Sequence, residues 1–218
     1  MSINIGIIVL AALLLPILLF VETREKRKGL VPVKTSLSLL FVLTAVGQPH
    51  ADPAYYALLL LGLIFCLGGD VCLALPQPSM FLMGLISFFI GHIFYAVGFF
   101  HLSSVSVWTL AITICFLFIG AGITIWLVPH LGPMKGPVLA YMGVITLMVS
   151  GAATVLGDSA LPLRGRIFVF LGALCFYGSD VFVARDRFIK KQALNRLLGL
   201  PLYYTGQFLL AFSVGFVG

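Results

Sequence analysis

Residues 67–75 read "LGGDVCLAL", a run of apolar and small residues around one bare carboxylate, Asp70. Residues 177–185 read "YGSDVFVAR" and set Asp180 in nearly the same words. What surrounds these two stretches decides the fold. The chain is 61% hydrophobic and 9% charged, with mean hydropathy +1.16. A soluble domain of 218 residues carries far more charge. Apolar segments of roughly 20 residues, the length of a helix that crosses a bilayer, recur from end to end. The fold class is therefore an all-α integral membrane protein, one transmembrane domain over residues 1–218. Eight transmembrane helices are expected at 3–21, 31–48, 54–74, 79–101, 106–128, 134–156, 163–184 and 201–217. The breaks between them carry turn residues: "GQPHADP", "LPQPSM", "VPHLGPMKG", "LGDSALP" and "LGLP". The opening segment lacks a basic leader and a small-residue cleavage site, so it reads as the first membrane helix. Cys66, Cys72, Cys115 and Cys175 all fall in apolar segments and read as packing residues.

The formal charge of +6 does not indicate nucleic acid, because the basic residues sit between apolar segments. Arg24, Lys26, Arg27, Lys28, Lys135, Arg185, Arg187, Lys190, Lys191 and Arg196 fall on one side of the expected helices. Arg164 and Arg166 fall on the other. The rich side is expected to be cytoplasmic. Both termini then face outward, in a bacterial inner membrane. His50, His101, His130, Trp108 and Trp126 lie at helix ends and read as interfacial residues.

The chain also reads as duplicated. "VPVKTSLSLL" at 31–40 resembles "GPMKGPVLAY" at 132–141, aligning Lys34 with Lys135. "GGDVCLA" resembles "GSDVFVA", and "FIGHIFYAVGF" at 89–99 resembles "YTGQFLLAFSV" at 204–214, aligning His92 with Gln207. The matches stay in order. They imply two parallel four-helix repeats, about 1–101 and 106–218, related by an axis along the membrane normal.

That topology brings the polar residues together. Asp70 and Asp180 each lie near the cytoplasmic end of a helix that runs inward. Lys34, Tyr203, Tyr204 and Gln207 lie in the first turns of helices that start there. All six can line one cavity open to the cytoplasmic leaflet. His92 would form its floor about 20 Å down, with Tyr95 at i+3 on the same face. An ionised group in hydrocarbon costs roughly 2.5–3.5 kcal/mol on insertion scales, so these side chains are not expected to face lipid. A structural alternative pairs Asp70 with Lys34, and Asp180 with Arg185 or Lys135, as buried ion pairs that fix helix packing. The basic run after helix 7 reads as a topological signal that attracts anionic lipid. Part of it, Arg185 or Arg187, could instead hold a phosphate through bidentate hydrogen bonds, as could Lys34.

Two carboxylates in one apolar cavity do not ionise alike. One keeps its proton and can act as general acid; the other acts as base or stabilises positive charge. This suits cleavage of an acid-labile ether or acetal. No G-x-S-x-G nucleophile motif occurs. No HExxH and no Cys/His spacing suggests zinc, and no cofactor is called for.

Lys34 together with "GDVCLA", "GHIFYAVGF", "GSDVFVARDRF" and "YYTGQFLLA" resembles the YhhN family of membrane proteins, which includes the lysoplasmalogenases. The resemblance implies an eight-helix membrane enzyme whose substrate is a lysophospholipid. Such an enzyme hydrolyses the vinyl ether bond of lysoplasmalogens, of choline or ethanolamine type, to a fatty aldehyde and a glycerophospho-headgroup. It implies Asp70 and Asp180 as the catalytic acidic pair, with Lys34, His92, Tyr203, Tyr204 and Gln207 around them; Tyr95 and Arg187 join the expected substrate-binding residues by their positions beside His92 and in the basic run. The aromatic flanks Phe176, Tyr177 and Phe182 favour Asp180 as the acid, and Lys34 favours Asp70 as its ionised partner. The competing reading is a proton-coupled secondary transporter or lipid flippase using the same aspartates, since repeats and intramembrane polar groups serve transport as well.

Overall fold

The computed structural model describes residues 2–24 and 27–217. Lys26, counted above among the basic residues, lies outside the described residues, as do the side chains of Arg27 and Lys28. The helices are α1 (Ser2–Thr23), α2 (Arg27–Val46), α3 (Pro53–Ala74), α4 (Pro78–Leu102), α5 (Val107–Leu127), α6 (Lys135–Gly157), α7 (Leu163–Ala184) and α8 (Ala193–Ser213). Two short 3₁₀ turns, Val128–His130 and Gly132–Met134, join α5 to α6, and a π-helical turn, Arg185–Ile189, follows α7. No strand occurs among the described residues. Among the described residues, seven of the eight helices are long and apolar enough to cross a membrane, and the chain is an integral membrane protein.

Local chemistry starts these helices where the turn signals lie. Asp52 accepts a hydrogen bond from the Tyr55 amide at 2.9 Å, with Pro53 in the first turn of α3. Ser106 and Thr109 form a capping box at the start of α5. The eighth helix departs from expectation. It begins at Ala193, not 201, and runs straight through Pro201. "LGLP" does not break it, because a membrane helix tolerates an interior proline when its neighbours satisfy the freed backbone. Its extra turns hold Asn195 and Arg196, whose partners are Asp186 of the π turn, the Lys190 carbonyl just after it and Glu22 of α1. Those residues also keep α8 out of the set of strongly apolar helices.

Gln48, at the end of α2, donates to Asn4 in α1 at 3.4 Å, and Gly215 lies against the same Gln48 side chain. The two ends of the described chain therefore sit at one end of the bundle. The opposite end gathers the end of α1, the starts of α2, α4 and α8, the ends of α3 and α7, and the π turn.

The bundle is organised by two tight hairpins, α3–α4 and α7–α8. Both close on glycines. A Cβ at Gly91 would lie 3.0 Å from the Gly62 carbonyl oxygen, and one at Gly206 would lie 2.8 Å from the Gly172 carbonyl oxygen. A Cβ at Gly84 would lie 3.2 Å from the Gly69 carbonyl, and one at Gly199 3.6 Å from the Ser179 carbonyl. The paired residues stand 110 apart on α3 and α7, and 115 apart on α4 and α8, which are the offsets of the sequence matches. Small residues let helices approach where lipid supplies no hydrophobic drive for association. α6 is the most buried helix and packs on α4, α5 and α7, while α8 packs on α2 as well as α7. α1 and α5 expose rows of large apolar side chains, such as Leu13, Phe20, Leu117 and Phe118, as a lipid-facing surface does.

A methyl group at Gly206 meets backbone, which cannot move aside as a side chain can. Gly206→Ala should cost about 1–3 kcal/mol by overpacking. Gly122→Ala, with nothing within 4 Å of the added carbon, should be neutral or slightly stabilising. Thermal unfolding of both variants in detergent checks this; equal midpoints would show that the hairpin does not depend on that approach.

Candidate active site

Lys34 and Ser38 stand one turn apart on α2 and so face the same way. The face they share is turned to Asp70, one turn before the end of α3. Lys34 Nζ lies 3.4 Å from Asp70 Oδ1. Ser38 Oγ donates to Asp70 Oδ2 at 2.6 Å, and the Tyr203 hydroxyl donates to the same oxygen at 2.5 Å. Behind this shell the directions are fixed in turn. Ser38 spends its one proton on Asp70, so the Tyr204 hydroxyl, 3.3 Å away, donates to Ser38. Gln207 Nε2 donates to the Tyr203 oxygen at 3.3 Å, and Tyr95 donates to Gln207 Oε1 at 2.7 Å. Every one of these protons points towards Asp70, which is buried at 1% exposure. A cation and two hydroxyl donors are the surroundings of a carboxylate held in its charged form.

Asp180, one turn before the end of α7, has different company. The Tyr141 hydroxyl of α6 donates to its Oδ2 at 2.6 Å. No Lys or Arg stands within ion-pair distance of it among the described residues. The expected alternative partners are turned elsewhere. Arg185 donates to Asn195 Oδ1 at 2.6 Å and Gln192 Oε1 at 3.0 Å, and Lys135 is exposed.

Both aspartates line one cavity of about 730 Å³, a size ordinary for a small-ligand site. It opens at the end of the bundle where the basic residues gather. Lys34, Tyr141, Tyr203 and Phe88 complete its polar and aromatic inner wall, and Glu22, Arg187, Lys190, Lys191 and Arg196 ring its mouth. Leu85, Leu127, Val138, Met142, Phe188 and Ile189 make the remaining wall apolar. α3 and α7 do not pack along each other; α4 and α8 stand between them. The aspartates therefore face a shared space and are not hydrogen-bonded to one another.

Of the residues expected around the substrate, Lys34, Asp70, Asp180, Tyr203 and Arg187 reach the cavity. His92, Tyr95, Tyr204 and Gln207 do not line it and lie behind its wall. The expected floor of His92 is replaced by Phe88, one turn earlier on α4, whose ring meets those of Phe176 and Tyr203. His92 Nδ1 lies 2.5 Å from the Phe88 carbonyl oxygen, which can only accept, so Nδ1 carries the proton. Its Nε2 is buried without a hydrogen-bond partner, and its ring meets Phe176 at 4.4 Å and Tyr141 at 5.4 Å. At the mouth, the Arg187 guanidinium stacks over the Phe81 ring at 4.4 Å from its centre. Arg196 is held by Glu22 and Asp186. Among the described residues, no group of three or more His, Cys, Asp or Glu side chains is placed to hold a metal ion.

Sequence reasoning missed Ser38 and Tyr141. Ser38 was findable as the residue one turn beyond Lys34. Tyr141 was not, because nothing in "VLAYMG" separates a functional hydroxyl from an interfacial aromatic.

A helical membrane protein with a charged cavity sunk between its helices is the class this arrangement defines. The YhhN family profile matches residues 30–214, and the chain belongs to that family. The protein named lysoplasmalogenase of Mycobacterium bovis (strain ATCC BAA-935 / AF2122/97) is 28% identical over 178 residues. That match covers 79% of this chain and 64% of the mycobacterial protein, so the chain spans just under two thirds of that relative's length. The lysoplasmalogenase TMEM86B of Rattus norvegicus is 31% identical over 187 residues, covering 85% of this chain and 72% of the rat protein. No solved structure matches the chain at a significant level.

The ion pair at the site makes a direct test. Lys34→Met strands a buried carboxylate and should destabilise the protein by about 3–5 kcal/mol. Adding Asp70→Asn should recover a large part of that loss. Detergent unfolding of the two single variants and the double variant measures the coupling, and strictly additive effects would contradict the pair.

Proposed function

We propose that this chain is a lysoplasmalogenase-like intramembrane hydrolase that cleaves the vinyl ether bond of a lysophospholipid. The observation that carries the reading is the unlike company of two aspartates on one cavity: Asp70 beside a lysine and two hydroxyl donors, Asp180 beside one tyrosine and no cation. The lysoplasmalogenase names of the similar proteins support it.

In this reading Asp180 delivers a proton to the β-carbon of the vinyl ether, and the electron pair of the double bond forms the new C–H bond. The α-carbon and ether oxygen become an oxocarbenium ion. Asp70, with its negative charge held in place before reaction, stabilises that cation and orients the attacking water. Water adds to the α-carbon, its surplus proton passes to a carboxylate, and the hemiacetal collapses to a fatty aldehyde and the glycerophospho alcohol. Tyr141 fixes the Asp180 carboxyl, Tyr203 fixes Asp70, and Arg187 at the mouth meets the substrate phosphate. The choline or ethanolamine group lies beyond it, towards solvent.

The same reading places eight crossings in a bacterial inner membrane, with the cavity open to the cytoplasmic side and both termini outward. The matching glycine registers of α3–α4 and α7–α8 support descent of the chain from two parallel four-helix repeats. The first half keeps its lysine against the aspartate and the second has turned its lysine, Lys135, outward.

Detergent-purified protein should release aldehyde from an alkenyl lysolipid and none from the matched saturated-ether or acyl lysolipids. Asp70→Asn and Asp180→Asn should each lower the rate per folded molecule by about a hundredfold or more, and Tyr141→Phe by about tenfold. Well-folded protein that releases no aldehyde would overturn the hydrolase reading. Proton-coupled uptake into sealed vesicles would then assign the same aspartates to a transporter or flippase.

A further inference from the structure

Asp180 stands at a junction. On one side is the main cavity. On the other, a narrow crevice of about 10 Å³ runs between α5, α6 and α7. It is lined by Ile123, Leu127, Met142, Ile145, Val181 and Ala184, with Asp180 and Tyr177 as its polar members. Leu127, Met142, Asp180 and Ala184 line both spaces, so the crevice and the cavity adjoin with the carboxylate between them. α5 packs along α6 and reaches α7 through the Phe116–Tyr177 ring contact, with centroids 5.2 Å apart. The main cavity, by contrast, becomes more polar and more basic away from Asp180, through Lys34 to Arg187 and Lys190 at the mouth.

The geometry points to the α5–α6–α7 crevice as the seat of the substrate's hydrocarbon chain, with Ile123 and Met142 setting how long a chain fits beyond Asp180. This rests on the reading of the cavity as a lipid site and adds a direction to it. In a vinyl ether the carbon to be protonated is the one that bears the chain, and the ether oxygen leads to the glycerol and headgroup. A headgroup at the basic mouth and a chain in the crevice put that carbon beside Asp180 and the ether oxygen towards Asp70. The reverse orientation would put a phosphate among Ile145, Val181 and Leu127, with no cation and only the Tyr177 hydroxyl to meet it among the residues lining the crevice. The crevice as it stands is too narrow for an alkyl chain. Met142, unbranched and with three rotatable bonds, is the side chain suited to give way, and Ile123 is half-buried on α5, a helix that packs mainly on α6.

Two measurements test this. The first follows aldehyde release from alkenyl lysolipids of eight to eighteen carbons. Ile123→Trp should lower the ratio of longest-chain to shortest-chain rate by about tenfold or more, while Met142→Ala should raise it. Parallel chain-length profiles in all three proteins would overturn the proposal. The second does not depend on turnover. A saturated-ether lysolipid with a diazirine at the chain terminus is irradiated with the protein, with and without excess unlabelled lysolipid. Competed crosslinks should fall on the buried stretch around Met142, Ile145 and Tyr177 and be lost in Ile123→Trp. Crosslinks confined to the mouth, or to exposed residues such as Phe118 and Ile125, would overturn the chain's placement. Competed crosslinks in the crevice from a protein that releases no aldehyde would uphold the chain site and sink the hydrolase reading alone.

Discussion

The Asp70–Lys34 pair is the constraint on which the rest of the site depends. A lone carboxylate at this depth would be expelled or neutralised. The lysine, 3.4 Å away, removes that penalty only because hydroxyl donors complete the shell. Those donors come from α2 and α8, so the charge holds three helices in one register. Tyr203 must donate to Asp70, Gln207 must donate to Tyr203, and Tyr95 must hold the Gln207 amide the right way round. One buried charge thereby orders a polar column that reaches α4, and none of its inner members touches the cavity.

The glycine hairpins make this possible. Their close approach brings α4 against α3 and α8 against α7 with the polar faces aligned. It also leaves the aromatic cluster of Phe88, Phe176, Tyr203 and His92 between the two aspartates. That cluster keeps α3 and α7 apart, so the carboxylates meet across a space that a substrate can enter. A hydrogen-bonded dyad would share one proton and offer no room between its members. Two separated carboxylates with unlike partners can divide the roles of acid and charged stabiliser.

Much of this was legible in the sequence. Seven of the eight helix spans follow from apolar length and turn residues, with ends within a few residues of the structure. The repeated words around Asp70 and Asp180 pointed to equivalent depths, and the offsets of 110 and 115 reappear in the glycine contacts. The start of α8 was not legible, because Pro201 reads as a break and the polar turn before it reads as loop. Asn195 and Arg196 there find partners on the π turn and α1, contacts that no local pattern announces. The site was half legible. Ionisable residues in apolar runs announce themselves, whereas whether they face a cavity depends on rotation about the helix, which no periodicity fixes when the whole helix is apolar. His92 and Gln207 are polar and deep for that reason, yet serve the wall from behind. Tyr141 makes the one side-chain hydrogen bond to the Asp180 carboxyl among the described residues, and it looked like any other aromatic.

The central claim is that Asp70 is charged while Asp180 holds the proton, within one cavity. Infrared difference spectroscopy of the folded protein near neutral pH tests it most directly, through the C=O stretch of a protonated carboxylic acid. The account predicts a protonated-carboxyl band that disappears in Asp180→Asn and persists in Asp70→Asn. A band lost in Asp70→Asn and kept in Asp180→Asn would reverse the roles of the two aspartates and contradict the mechanism built on them.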